Sequence, residues 1–419
     1  MLNRYFIRPT TVDRIRSSWI GESIERYVAW LAEQNYAARN VFFRVPVLVH
    51  FGEFARKSGA TKIDELPTHI EPFVADWLSD RKQGYSESDC RIAAREVRNP
   101  IHQLLRLILP EYGCVIGGKA DPFVDVVPGF FEFLRQERGL RETTLVQYRH
   151  YLQLLQDHLQ GIGRPLLPNL PPAVISVFIA KSGEGRDKRS VQSLCSILKV
   201  FFRYLYRVNL MALDLAKVIE SPRHYRLSNL PRSITWKEVE EMLLKVDRRS
   251  AVGKRDYATL LLLVTYGLRA REIAALTLDD IDWKRDRIDI RGRKAGHSTA
   301  YPLDPSVGEA VLDYLKQGRP KTSMRALFIG AYAPYVPLSY VAVSLRAKLY
   351  LRKAGIKVSR PGSHTLRHTC VQRLVDAGFS LKTIGDFIGH RTSDATKIYA
   401  KVNIAALRLV ALGNGEEVL

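Results

Sequence analysis

Apolar residues recur along most of this chain at every third or fourth position, the spacing of amphipathic helices. In the first half the pattern repeats, because residues 27–31 align with residues 130–134 and later positions match at an offset of about 104. Residues 24–110 and 127–210 therefore look like two versions of one helical unit. Chance similarity between two amphipathic bundles is the alternative. Both interpretations predict two small all-helical domains.

In the second half of the chain, short predicted strands interrupt the series of helices. Thr235 and Glu238 have the spacing of a capping box, which predicts the start of a helix. Residues 256–265 are almost wholly apolar and predict a helix at the centre of a core. Short strands are expected at 281–290 and 299–303, on either side of a turn. Further helices are expected at 306–316, 339–354, 364–377, 381–388 and 393–412. The fold class is therefore mainly α with a small β-hairpin.

A segment rich in proline and arginine separates these two halves. Residues 221–233 contain two prolines and no acidic residue, which indicates an extended basic linker. The predicted domains are residues 1–115, 116–220 and 234–419, with 221–233 as the linker.

The composition excludes several classes of protein. With 419 residues, 46% hydrophobic and 26% charged, the chain is expected to fold into several domains. Its apolar runs are too short to cross a membrane, and its first residues lack the apolar core of a signal peptide. We therefore expect a cytoplasmic protein. The four cysteines are far apart, so neither a disulfide framework nor a zinc site is expected.

The net charge of +21 is unevenly distributed. Residues 1–115 carry +2, residues 116–225 carry +5 and residues 226–419 carry +14. A polyanionic partner explains this concentration, because lysine and arginine that neutralise phosphates release counterions. Solubility alone is the alternative explanation. Charge also predicts that residues 1–115 contribute little to salt-dependent affinity.

Three clusters in the last domain carry polar side chains at predicted helix starts, where backbone amides favour anions. Arg269 follows a glycine that ends the apolar helix. Ser363 is a predicted N-cap, and His364 and Arg367 after it share one helical face. A third cluster places Tyr399 nine residues after a loop histidine, His390.

Together these clusters resemble the catalytic domain of the tyrosine recombinases, the phage integrase family, over residues 235–415. The family pattern is an arginine after a Gly-Leu step, a hairpin lysine, a His-x-x-Arg box, an Ile-Gly-His element and a tyrosine nine residues later. Residues 127–210 resemble the helical core-binding (SAM-like) domain of that family, and residues 1–115 look like a diverged copy. The matching positions are Arg269, Lys294, His364, Arg367, His390 and Tyr399.

The resemblance implies a role for each matching residue. Tyr399 would attack phosphorus and form a 3′-phosphotyrosyl link. Arg269 and Arg367 suit the anionic transition state, because guanidinium groups donate in a fork to phosphate oxygens. Lys294, eight residues before Pro302, would protonate the leaving oxygen.

The remaining residues would assist. His364 would help proton transfer at the attacking hydroxyl, and His390 would hydrogen-bond a phosphate oxygen. Glu272 would orient its neighbours, and His368 would pack behind the His-x-x-Arg turn. Arg223, Arg226, Arg232 and Arg293 are expected to contact DNA. No metal or cofactor is expected, since no Asp/Glu cluster for magnesium is visible, which argues against a two-metal nuclease or transposase.

The expected partners are double-stranded DNA and copies of the same chain, four in a synapsis, with other recombinases of the same element as a further possibility. An apolar stripe between Val402 and Leu412 would dock on a neighbouring protomer or on its own domain. The predicted function is site-specific recombination for a mobile genetic element. A catalytically inactive DNA-binding homologue and a type IB topoisomerase are the alternatives. Phage integrase, transposon recombinase and chromosome-dimer resolvase are not distinguished.

Overall fold

The computed structural model describes residues 1–79, 86–112, 121–163, 167–168, 170–223, 233–292 and 298–389. Several predicted features lie outside these ranges: the helix 393–412, the stripe from Val402 to Leu412, and the site residues Arg226, Arg232, Arg293, Lys294, His390 and Tyr399. The described residues divide into two compact units. The first lies within Met1–Glu53 and Asn229–Leu419, and the second lies within Phe54–Ser228. The domain boundaries expected from the sequence stay predictions.

Helices account for nearly all the regular structure before the linker. They are α1 (Pro9–Ser17), α2 (Gly21–Glu33), α3 (Ala38–Lys57), α4 (Ile70–Ser79), α5 (Glu87–Ile108), α6 (Phe130–Gln136), α7 (Glu142–Gly161), α8 (Pro172–Gly183) and α9 (Lys188–Arg207). Short 3-10 turns add Leu2–Arg4, Ile63–His69 and Leu215–Lys217.

Local capping explains where two of these helices begin. The Ser86 hydroxyl accepts a hydrogen bond from the Asp89 amide at 3.2 Å before α5. The Asp187 carboxylate does the same for the Ser190 amide at 2.8 Å before α9. Each cap satisfies an amide that has no partner within the helix.

The helices of residues 123–219 enclose an aromatic core of their own. Phe130, Phe201 and Phe202 are fully buried there, and the Phe130 and Phe201 rings meet edge to face at 5.0 Å. This core supports the expectation of a small helical domain that is stabilised by its own apolar contacts.

The helix bounds agree with the proposed internal repeat. Helices α3 and α7 have 20 residues each, and both ends differ by the same offset of about 104. Fully buried Phe51 of α3 corresponds to fully buried Leu155 of α7. Common descent of the two units stays a prediction.

After the linker, the described residues form seven helices and a small sheet. The helices are α10 (Trp236–Leu244), α11 (Ala251–Thr265), α12 (Ala270–Ala275), α13 (Pro305–Gln317), α14 (Tyr340–Lys353), α15 (Ser363–Asp376) and α16 (Leu381–Ile388). The capping box before α10 is confirmed, since the Thr235 hydroxyl accepts from the Glu238 amide at 3.3 Å.

Helix α11 is the centre of this core, as its composition predicts. It begins at Ala251, five residues before the predicted start, because the Ser250 hydroxyl caps it through the Gly253 amide at 3.0 Å. Leu260, Leu262 and Leu263 are fully buried. It packs against α13 and α15.

The prediction of one strand over 281–290 was wrong. The sheet has three antiparallel strands in the order β1 (Ile281–Asp282), β2 (Arg287–Ile290) and β3 (Thr299–Pro302). Asp282 Oδ1 accepts from the amides of Lys284 and Arg285 at 3.1 and 3.2 Å, and this Asx turn ends β1. Lys284 lies in this turn between β1 and β2.

The hairpin between β2 and β3 is confirmed. Ile288 pairs with Tyr301, and Ile290 pairs with Thr299 at the end of the ladder. The chain that connects the two strands includes Lys294.

Among the described helices, none has the length and hydrophobicity to span a membrane.

Candidate active site

A glycine turn connects α11 to α12 and positions the first candidate residue. Gly267 has a φ of +59°, a conformation that side chains with a Cβ rarely adopt. A Cβ at this position would lie 3.2 Å from the Cys370 sulfur and 3.5 Å from an Ile388 methyl group. Glycine is therefore required here both by backbone conformation and by close packing.

Arg269 occupies the N-cap position of α12 and is held by Glu272. Its backbone amide donates to Glu272 Oε2 at 2.8 Å, and its Nη1 donates to Glu272 Oε1 at 2.7 Å. Glu272 is buried, whereas about a quarter of the Arg269 side chain is exposed, at 26%. Glu272 therefore fixes the direction of the guanidinium group on a side chain that is still partly exposed.

Arg367 lies one turn into α15 and is buried. Its Nη1 donates to the Gly267 carbonyl, and its Nη2 donates to the Ile388 carbonyl at 2.8 Å. Arg367 thereby links the turn before Arg269 to the end of α16.

Both arginines meet at the C-terminal end of α16. Arg269 Nη2 donates to the Gly389 carbonyl at 3.1 Å, next to the Ile388 carbonyl that Arg367 uses. Carbonyls at a helix C-terminus lack partners within the helix and carry partial negative charge, so guanidinium groups suit them. His390 follows directly in the sequence.

The prediction of Ser363 as N-cap of α15 was wrong by one residue. Gly362 occupies the N-cap position, and Ser363 is the first residue of the helix. A Cβ on Gly362 would lie 2.9 Å from the Ser344 hydroxyl of α14, and that hydroxyl accepts from the Ser363 amide at 3.4 Å. Close approach to α14 therefore replaces a side-chain cap.

His364 lies in the first turn of α15, near both arginines. Loss of hydration around the imidazole lowers the pKa of His364, and the charges of Arg367 and Arg269 lower it further. Since the ordinary value is about 6.5, the ring is neutral at pH 7 and able to accept a proton. His368, half-buried one turn later, lies 6.4 Å from it between ring centroids.

The structure thus brings Arg269, Glu272, His364 and Arg367 together in one unit. Arg223 is exposed in the second unit, at the end of the described part of the linker. The roles predicted for all these residues, and for His368, stay predictions.

Sequence reasoning missed the groups that hold the arginines. The acceptors are the carbonyls of Gly267, Ile388 and Gly389, and no motif specifies a carbonyl. It also missed Tyr301, whose hydroxyl donates to the Phe387 carbonyl. One signal was available, because a buried tyrosine needs a hydrogen-bond partner for its hydroxyl.

No three His, Cys, Asp or Glu side chains within the described ranges are grouped as metal ligands. The polar groups at the site are guanidinium and imidazole groups with one carboxylate, a set that favours an anion over a cation.

Two family models match the chain. Residues 232–405 match the phage integrase family, and residues 127–209 match the N-terminal SAM-like domain of phage integrases. The first match contains every candidate catalytic position from Arg269 to Tyr399.

Relatives of the chain cover most of its length. "Putative integrase/recombinase y4rA" of Sinorhizobium fredii is 29% identical over 92% of each chain. Tyrosine recombinase XerD of Pseudomonas putida is 30% identical over 68% of this chain and 94% of its own. The fold is similar to that of XerH site-specific recombinase bound to palindromic difH substrate, with a TM-score of 0.55 and 17% identity over 67% of this chain and 82% of that chain.

The family matches and the nearly complete coverage of XerD lead to one conclusion. This chain belongs to the phage integrase family of tyrosine recombinases.

Proposed function

We propose that this protein is a site-specific DNA recombinase that cuts and rejoins strands through a 3′-phosphotyrosyl intermediate for a mobile genetic element. The observation that carries the proposal is the meeting of Arg269 and Arg367 at the end of α16, directly before His390. Two guanidinium groups fixed side by side are suited to one phosphate.

The arginines act on the charge of the transition state. Attack on a phosphodiester spreads negative charge over the non-bridging oxygens, and preorganised donors stabilise that charge without moving. Glu272 keeps Arg269 in place, so the carboxylate is a positioning residue that does not react.

Tyr399 supplies the nucleophile in this proposal. Its oxygen forms a bond to phosphorus while the bond from phosphorus to the 5′ oxygen breaks. Neutral His364 takes the phenol proton, Lys294 gives a proton to the 5′ oxygen, and His390 donates to a non-bridging oxygen. Return of a 5′-hydroxyl reverses these steps and rejoins the strand.

The partner in the proposal is double-stranded DNA, with four protomers in the synapsis and other recombinases of the same element as further partners. The charge supports this, because +19 of the net +21 belongs to residues 116–419. Arg223, Arg226, Arg232 and Arg293 would contact the duplex.

The test is a covalent adduct. Wild-type protein is incubated in EDTA with end-labelled duplexes taken from the DNA that flanks its gene, and then denatured. We expect a labelled protein band from the wild type and none from Tyr399→Phe. The matched control is Tyr332→Phe, which removes a hydroxyl from a tyrosine that is 74% exposed on a loop.

The same reaction tests the polarity of the link. A 3′-phosphotyrosyl link releases a 5′-hydroxyl that polynucleotide kinase labels without prior phosphatase treatment. An adduct that persists in Tyr399→Phe, or ends that need phosphatase first, would refute the proposal.

A further inference from the structure

Three successive carbonyls at the end of α16 each accept a side chain from a different element. Phe387 O accepts from the Tyr301 hydroxyl of β3, Ile388 O from Arg367 of α15, and Gly389 O from Arg269 at the start of α12. We call these three carbonyls the α16 carbonyl end.

The backbone completes this arrangement. Gly389 has a φ of +63°, and its amide caps the two preceding carbonyls, those of Gly385 and Asp386. Helix ends normally leave four carbonyls without helical partners. Here the last three carbonyls accept hydrogen bonds from side chains of other elements, which hold the helix end in place. The helix end and the two arginines are therefore connected by hydrogen bonds.

Tyr301 is the neutral member of this set and belongs to the sheet. It is 2% exposed, and its ring contacts the Phe387 ring edge to face at 5.0 Å. It also packs against the Tyr266 ring, with 5.2 Å between the ring centroids. The Tyr266 hydroxyl donates to the Pro302 carbonyl at 2.9 Å and accepts from the Asp304 amide at 2.8 Å.

These contacts join β3 to two segments of the site, the Gly267 turn and the α16 carbonyl end. Tyr266 precedes the Gly267 turn, whose carbonyl accepts from Arg367, and Phe387 precedes the two carbonyls that the arginines use. We propose that Tyr301 is a positioning residue, which locks the α16 carbonyl end against the sheet and thereby sets the positions of Arg269 and Arg367. The kinetic part of its test rests on the proposed function.

The variant Tyr301→Phe removes only the hydroxyl and keeps the ring contacts. Its matched control is Tyr350→Phe, which removes a buried hydroxyl that donates to Asp256 at 3.3 Å and makes none of the three contacts of the α16 carbonyl end. Both variants are compared with the wild type as full-length chains, on the cleavage site mapped with the wild type.

The kinetic readout uses two substrates. One has the natural phosphodiester, and the other has a methylphosphonate, in which a methyl group replaces one charged non-bridging oxygen. Arginine stabilisation matters less without that charge. We expect Tyr301→Phe to lower the single-turnover rate constant on the phosphodiester by roughly tenfold, since small displacements of catalytic groups cost up to 10²-fold. On the methylphosphonate the loss should fall to about twofold.

Both substrates carry a nick a short distance 3′ to the cleaved bond, so the 5′-hydroxyl fragment dissociates and the strand is not rejoined. The adduct plateau then reports the active fraction, and a partly misfolded variant still gives a valid rate constant. Equal losses on both substrates would overturn the proposal, as would no loss on the phosphodiester. The same substrate-selective loss in Tyr350→Phe would also overturn it.

A second readout does not depend on catalysis. The charges of Arg367 and Arg269 help to lower the pKa of His364, so displaced arginines should let that pKa rise. NMR titration of labelled histidine should show this rise in Tyr301→Phe and none in Tyr350→Phe, and an unchanged titration in Tyr301→Phe would contradict the proposal. If the wild type formed no Tyr399-dependent adduct, the proposed function would fail, and the titration would still decide the role of Tyr301.

Discussion

Arg367 is held by two backbone carbonyls, and Arg269 is held by one carbonyl and by Glu272. Desolvation of a guanidinium group is costly, and these contacts offset it without neutralising every charge at the site. The pair therefore keeps a local positive potential. Loss of hydration lowers the pKa of His364 beside the pair, and the two positive charges lower it further.

The pKa of His364 gives a prediction at the level of one residue. Its titration midpoint in the folded protein should lie below about 6.5, the ordinary value for histidine. Arg269→Gln should raise it, because one of the neighbouring charges is removed. Histidine NMR titration measures both, and a midpoint at or above the ordinary value in the wild type would contradict the described site.

The same shift has a consequence for stability. A histidine whose pKa is lowered on folding binds protons better when unfolded. The folded state is therefore favoured least at acid pH, and stability should decline as the pH falls from about 6.5 through the folded pKa. His364→Gln should reduce this decline in urea unfolding measured between neutral and acid pH.

The turn at Gly267 predicts a difference between two glycine substitutions. Gly267→Ala should destabilise the protein more than Gly355→Ala, although both glycines have positive φ. Each alanine costs about 1–2 kcal/mol for the left-handed backbone. At Gly267 the new Cβ also contacts Cys370, and this overpacking should cost about 1–3 kcal/mol more. At Gly355 no such cost arises, because nothing lies within 4 Å of the Cβ position. Chemical unfolding compares them, and equal losses would show that packing at Gly267 is unimportant.

Among the elements, α11 carries a buried ion pair that fixes its place in the core. Arg255 Nη2 lies 2.8 Å from Asp256 Oδ1, and Arg255 Nη1 donates to the Ile329 carbonyl at 3.2 Å. The Tyr350 hydroxyl of α14 donates to Asp256 Oδ2 at 3.3 Å. The pair thus connects α11, the segment at Ile329 and α14.

Asp256→Ala should cost about 3–5 kcal/mol of unfolding free energy, because it leaves the Arg255 charge buried and unpaired. The control is Asp279→Ala, which breaks an exposed ion pair with Arg325 and should cost no more than about 1 kcal/mol. Urea unfolding measures both. A loss at Asp256 as small as that at Asp279 would mean that the pair is not part of the packed core.

Most helices of the last domain could be predicted because each carries its own apolar stripe and start signal. Helix α16 was predicted with its observed bounds, Leu381–Ile388. The break between β1 and β2 was missed, although Asp282 and the turn-forming Asp286 with φ +46° signal it. The flanking isoleucines have high β-propensity, and this favours one continuous strand across the turn residues.

Prediction from the sequence has the same limit at the candidate site, where short-range pairs can be recognised and long-range contacts cannot. Arg269 with Glu272, and His364 with Arg367, could be recognised because each pair lies within one helical turn. The link from Tyr301 to the Phe387 carbonyl joins positions 86 residues apart, and that from Arg269 to Gly389 joins positions 120 apart. Such pairings depend on tertiary packing, and the accepting carbonyl has no residue signature.

For the whole molecule, charge distribution predicts where DNA affinity arises. The variant Arg8→Gln/Arg14→Gln/Arg26→Gln, at exposed sites in residues 1–115, should leave the slope of log affinity against log salt nearly unchanged. Replacing Arg223, Arg226 and Arg232 with Gln should reduce the slope by up to about 0.9 for each phosphate that is no longer neutralised.

Fluorescence anisotropy at several salt concentrations measures these slopes on the full-length chain. A larger change from the first triple variant than from the second would show that residues 1–115 hold the DNA. The alignment with the Sinorhizobium fredii relative covers too much of this chain for residues 1–115 to lie outside it.

The identity of the nucleophile tests the central claim most directly. Adduct from the wild type is digested with nuclease and trypsin, and the nucleotide-bearing peptide is sequenced by mass spectrometry. Cleavage after Lys397 and Lys401 should yield Ile-Tyr-Ala-Lys with a 3′-nucleotide on Tyr399. A nucleotide on any other residue, or DNA cleavage with no linked peptide, would contradict the account.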